Sequence, residues 1–279
     1  MPARPPQWAH PVPPSAPRDE DDHADVAAAA DRPARGPAAR PRAAPGRAAA
    51  LAWLAGGLFA GGAAAQAPAG AFAPGEFDAV AISGVADVRF TQGPAEQVVV
   101  EGDEATRQSV TVELRGRTLQ IRPSGSWRFW SGQRPQIAVT ARQLTRVSIS
   151  GAADWVAASP VEADRLTVSI AGSGNARFDQ LQARQLNFNV SGAGDGRVAG
   201  RTDELSLSIA GRSAFDGEQL RAARARVSVS GIGNVKVWAT ESFGYSVAGV
   251  STIDVWGSPP QVRRSVAGQA EVHDRGPKP

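Results

Sequence analysis

The sequence predicts an all-β protein, a parallel β-helix (β-solenoid) with coils of ~20 residues and an irregular β cap at its N-terminal end. Three observations point there. Gly151, Gly172, Gly192, Gly211, Gly231, Gly249 and Gly268 recur 18 to 21 residues apart and close copies of one pattern, apolar, Ser/Asn, apolar, Ser/Ala, Gly, as in Val147-Ser148-Ile149-Ser150-Gly151. Two places before those glycines stand Ile149, Ile170, Val190, Ile209, Val229, Val247 and Val266, and three places before them Ser148, Ser169, Asn189, Ser208, Ser228, Ser246 and Ser265. Side chains alternate faces along a strand, so one set lines an interior and the other an outside. The third observation is the turn Ser/Ala-Gly-x-Gly-Asx, found at Ala171–Asn175, Ser191–Asp195 and Ser230–Asn234. A single coil cannot bury its apolar face alone, so a fixed period of this kind implies stacking.

Along the chain, residues 1–39 are rich in Pro, Ala and Arg, with an acidic knot at Asp19-Glu20-Asp21-Asp22 and few aliphatic side chains. That composition cannot bury enough apolar surface to order itself, which predicts a disordered extension or a start assigned too far upstream. Residues 40–65 read as a secretory signal. Arg40, Arg42 and Arg47 precede a short apolar run around Leu51, Trp53, Leu54, Leu58 and Phe59, and Ala63-Ala64-Ala65 supplies the small residues of a cleavage site. The run is shorter than the roughly 20 residues a spanning helix needs, so no membrane span is expected after cleavage; an uncleaved anchor is the other reading. Residues 66–75 form a linker, 76–275 the solenoid and 276–279 a tail.

Within the solenoid, residues 77–141 read as strands of irregular spacing, with a hairpin turn at Arg115-Gly116-Arg117. Ser83-Gly84 already resembles the later corners, so this segment starts the stack and closes its N-terminal end. At the other end Arg263, Arg264, His273, Asp274, Arg275 and Lys278 suggest a charged cap that opposes end-to-end growth.

Composition excludes several chemistries. The 279 residues contain no cysteine, so disulfides and thiol-linked lipid are excluded, and His273 is the one histidine after His23. Zinc sites of His and Cys are therefore ruled out, and histidine-assisted serine catalysis would rest on a single residue in the last coil. The net charge is +3, with arginines scattered singly rather than in the clustered stripe that nucleic acid requires. No catalytic residue, metal or cofactor is expected, and no nucleic-acid partner.

Two groups of residues are candidates for ligand contact. Trp127, Arg128, Phe129, Trp130 and Arg134 bunch aromatics and arginines between Gly125 and Pro135, a composition that stacks on sugar faces and pairs with carboxylates, or plugs the flank of the stack. Trp238 and Trp256 each lie seven places after a repeat glycine and form a second stacking pair or pack on the adjoining turn. The turn residues Asn175, Asp195 and Asn234 share one column. Tight-corner geometry suffices for them, because glycine accepts positive φ and Asx bonds its own backbone; an oxygen ladder for calcium is the alternative, interrupted by Ala214 and Thr252.

The opening Phe77-Asp78-Ala79-Val80-Ala81-Ile82-Ser83-Gly84, the following Val-x-Phe-x-Gln-Gly (Val88 to Gly93) and the repeated Gly-x-Gly-Asx turns together resemble the auto-transporter adhesin head family, the GIN domain, over about Glu76 to Asp274. The resemblance implies a right-handed parallel β-helix, exported to the periplasm, outer envelope or medium, with no established activity and no catalytic residue to carry over. The chain stops after the last coil, leaving no length for a membrane barrel. The expected function is non-enzymatic: a repetitive surface binding polysaccharide or protein of the envelope. A polysaccharide-cleaving enzyme using carboxylates and a structural spacer are the alternatives; oligomeric state is not encoded in any pattern.

Overall fold

The structure is a computed structural model that describes residues 71–125 and 134–278. Strands β1 (Ala71–Phe72), β2 (Ala79–Gly84), β3 (Asp87–Gln92) and β4 (Gln97–Glu101) precede helix α1 (Glu104–Gln108). Then come β5 (Val110–Arg115), β6 (Thr118–Pro123), β7 (Gln136–Ala141), β8 (Arg146–Gly151), β9 (Asp154–Ala157), β10 (Val161–Gly172) and β11 (Asn175–Gly192). The β ribbon β12 (Gly196–Trp256) winds through successive coils without a break, and β13 (Gln261–Val266) and β14 (Gln269–Asp274) complete the stack.

The strands pair in parallel at the repeat distance, which makes the fold a β-solenoid. On one side Ile82, Ile149, Ile170, Val190 and Ile209 lie in register, and so do Gly84, Gly151, Gly172, Gly192 and Gly211. A second side aligns Val88, Trp155, Ala176 and Gly196, and a third aligns Val161, Leu181 and Gly200. The aliphatics two places before each glycine are buried from Ile149 to Val247, and the serines beside them face out, as the alternation requires.

Why glycine holds the corner is visible at Gly192. Its φ is 136°, a conformation that is nearly glycine-only, and a Cβ there would land on the carbonyl oxygen of Gly172. That oxygen accepts from Ala193 N at 2.8 Å, so coils approach too closely for any side chain.

The interior mixes bulk and void-filling small residues. Trp155 is fully buried, its ring 5.2 Å from Phe90 and 6.3 Å from Phe178. Phe188 and Phe215 meet edge to face at 5.1 Å, and a Cβ on Gly196 would stand 2.5 Å from Phe188 Cζ. The small residue is thus dictated by two rings that already fill the space.

At the N-terminal end the stack stops repeating and turns antiparallel. β5 pairs with β6 through the turn at Gly116, β6 lies parallel on β2, and β4 and β1 add antiparallel strands beside β7. This is the irregular β cap that the sequence suggested, with one departure. Residues 104–108 form a helix rather than strand, begun by Asp103, whose carboxylate accepts from Thr106 N at 2.8 Å, and held by Glu104 with Arg107 at 2.7 Å.

At the C-terminal end the aliphatic column is left partly open. Val262, Val266 and Val272 are 58, 45 and 38 % exposed, whereas Phe243, Val247 and Ile253, one coil earlier, are buried. The residue type repeats, but the last coil has no neighbour above it among the described residues. The charges expected there do act at this end: Arg275 Nη2 lies 2.7 Å from Asp254 Oδ1, and His273 lies 3.3 Å from Glu271.

Candidate functional site

Two features converge on the corner between the first and second sides. The first is the Asx column. Asp87 and Asp154 pair across adjacent coils, and Arg134 Nη1 bridges them at 3.2 and 2.5 Å while its Nη2 donates to the Ala152 carbonyl. Asn175 Nδ2 donates to Asp154 Oδ1 at 2.8 Å, Asp195 N donates to Asn175 Oδ1 at 3.2 Å, and Ala214 N donates to Asp195 Oδ1 at 2.7 Å. One side-chain oxygen each of Asp154, Asn175 and Asp195 therefore accepts from the next coil, which fits the corner role. Asn234 continues the turn pattern farther along the stack and is exposed. Arg134, a ligand-contact candidate in the sequence, ends this ladder, where two opposed carboxylates need a cation between them.

Replacing Arg134 with Gln leaves Asp87 and Asp154 facing each other. The expected loss is about 1 kcal/mol, since all three groups are partly solvated. Guanidinium-free thermal melts should show part of that loss recovered at high salt, where like-charge repulsion is screened.

The second feature is a cavity of about 920 Å³ beside the column. One wall is the corner itself: Ser83, Ser150 and Ser173 with Gly84, Gly151 and Gly172. The opposite wall is α1 and the β5–β6 hairpin, through Thr106, Gln108, Ser109, Val110, Ile121 and Arg122, with Val85 and Ala86 alongside. Hydroxyls and amides thus alternate with small aliphatic patches. Arg122, the one charged group of the lining among the described residues, is held by Glu113 at 2.6 Å.

The Arg122 hydrogen bond, with a smaller contribution from Arg115, holds the Glu113 carboxyl below the usual glutamate range. A folded-state pKa that is depressed stabilises the fold above the unfolded value and ceases to do so as pH falls through the folded one. Acidification below about pH 4 should therefore loosen the β5–β6 hairpin, and Glu113→Gln should remove that part of the pH dependence. Hydrogen exchange of hairpin amides against pH measures it.

The corner residues Ser83, Gly84, Gly151 and Gly172 stood out in the sequence as turns, but Thr106, Gln108 and Arg122 did not, because only the fold brings their segments to that corner. Trp127, Arg128, Phe129 and Trp130 lie outside the described residues, between the lining residues Gly125 and Pro135. Trp238 and Trp256 stand on successive passages of β12, and Lys278 Nζ sits 5.3 and 5.6 Å from their ring centres.

A family model described as "Putative auto-transporter adhesin, head GIN domain" matches residues 76–259. The chain belongs to this family. GIN-domain architecture agrees with solved structures of the same fold. A "putative adhesin" from Bacteroides fragilis is 22% identical with a TM-score of 0.66, and a "putative adhesin" from Parabacteroides distasonis is 17% identical with a TM-score of 0.60. A "putative lipid binding protein" from Parabacteroides distasonis is 20% identical with a TM-score of 0.59. In each case the alignment covers 75% of this chain and 95% of the other. No curated protein matches the chain. Among the described residues of this GIN domain, no helix is long and apolar enough to cross a membrane.

Proposed function

We propose that this GIN domain is an exported, non-enzymatic binding head whose cavity beside the corner column holds a polysaccharide of the cell envelope. The carrying observation is the lining: hydroxyl and amide groups of Ser83, Ser150, Ser173, Thr106 and Gln108 interleaved with Val85, Ala86 and Ile121. Sugar rings present that same alternation of hydroxyls and C–H faces. The nearby carboxylates are engaged with arginines, Asp87 and Asp154 with Arg134 and Glu113 with Arg122, which supports binding over acid–base hydrolysis. Trp127, Phe129 and Trp130 supply stacking groups in this reading, and the periplasm or outer envelope is the compartment.

Titration of the full chain with isolated envelope polysaccharide tests it. Ser173→Trp, which sets an indole in the cavity wall, should weaken binding at least tenfold, and so should joint replacement of Trp127, Phe129 and Trp130 by Ala. No reducing ends should accumulate. Wild-type binding in both variants, or steady product release, overturns the reading. A lipid chain is the second reading, favoured by the aliphatic lining and by the described neighbour; a fluorescent fatty acid displaced by Ser173→Trp would establish it instead.

A further inference from the structure

Away from that cavity, three residues surround one ammonium. Lys278 Nζ lies 5.3 Å from the Trp238 ring centre and 5.6 Å from that of Trp256, and it donates to the Glu218 carbonyl at 2.8 Å. The Glu218 carboxylate stands 3.6 Å from the same nitrogen, held from its other side by Lys236 at 3.7 Å. Two indole faces, a carbonyl and a carboxylate are the set that recognises an alkylammonium, by ring quadrupole, hydrogen bond and charge. These groups come from successive coils, so the rigid stack spaces them and none depends on a loop for its position.

Lys278 reaches the set because the segment before it is pinned. Arg275 pairs with Asp254 at 2.7 Å, Arg275 N donates to Val255 O at 2.8 Å, and Gly257 N donates to Gly276 O at 3.0 Å. Among the described residues, the polar contacts beyond Gly276 are those of Lys278 to the Glu218 carbonyl and carboxylate.

We propose that Trp238, Trp256 and Glu218 form a binding site for a lysine side chain of a partner protein, closed in this structure by the chain's own Lys278. The occupant shows the fit: a primary ammonium over two indole faces. A tethered lysine at high effective concentration competes with any incoming one, so the site is self-blocked until a partner of sufficient avidity displaces it. This inference is independent of the polysaccharide cavity, which lies on other coils.

The test uses Nα-acetyl-lysine amide as probe on the full chain, read by the indole N–H resonances assigned through Trp238→Phe and Trp256→Phe. In Lys278→Ala the two resonances should shift and saturate at a probe concentration at least tenfold lower than in the wild type, while Lys278→Arg stays closed. Glu218→Gln in the Lys278→Ala background should weaken the probe several-fold. Equal probe response in Lys278→Ala and wild type overturns the proposal. So does equal binding of Nα-acetyl-norleucine amide, which lacks the charge, or of glucosamine, which would make the site one for amino sugars. Because Lys278 is on the surface, unchanged circular dichroism separates loss of the blocking group from loss of fold.

Discussion

Gly192→Ala is expected to cost about 4 kcal/mol or more, an exceptional effect for a single methyl. Two terms add. The backbone at φ 136° is strained for any L side chain, and the new Cβ collides with the carbonyl of Gly172, the acceptor for Ala193 N. The collision cannot be relieved by a rotamer, since both partners are main chain, and moving one coil shifts every coil stacked on it. Gly116→Ala is the control: φ is 61° there and nothing lies within 4 Å of the added carbon, so only the left-handed cost of about 1–2 kcal/mol remains. Denaturant unfolding of both variants should separate by at least 2 kcal/mol. Equal losses would mean that strain alone explains the column and that coil contact contributes nothing.

The second large effect concerns the pair Phe188 and Gly196. Phe188→Ala empties space beside Phe215 and is expected to cost about 3–5 kcal/mol. Gly196→Val alone drives a side chain into the Phe188 ring, at about 1–3 kcal/mol. In the double variant the valine enters the space the ring left, so the combined loss should fall short of the sum by more than about 1 kcal/mol. Simple additivity in a double-mutant cycle would show that the ring and the glycine do not determine each other.

Much of this architecture is legible in the sequence, for a physical reason. Ile149, Ile170 and Val190 repeat because each coil must match its neighbour, so tertiary register is written as a linear period. The same logic fails at the ends. Val262 and Val266 have the residue types of their column, yet burial is a property of having a coil on both sides, which no residue type encodes. Helix α1 escapes notice because five residues are too few for a 3.6-residue period, although Asp103 ahead of Glu104 and Arg107 is a capping signal on inspection. At the candidate site, the Asp154, Asn175 and Asp195 column was readable by position, but its closure by Arg134 depends on a residue twenty places away. The wall formed by Thr106, Gln108 and Ile121 against Ser150 was invisible for the same reason.

The bare valines of β13 and β14 set the order in which this molecule comes apart. A one-dimensional array melts from whichever terminus has the weaker neighbour term, and here that terminus is the coil from Gln261 to Asp274, paired to β12 on one side while its valines stay exposed. Mild heating with a protease present would therefore nibble the rod backwards one rung at a time, leaving fragments that differ in mass by a single winding.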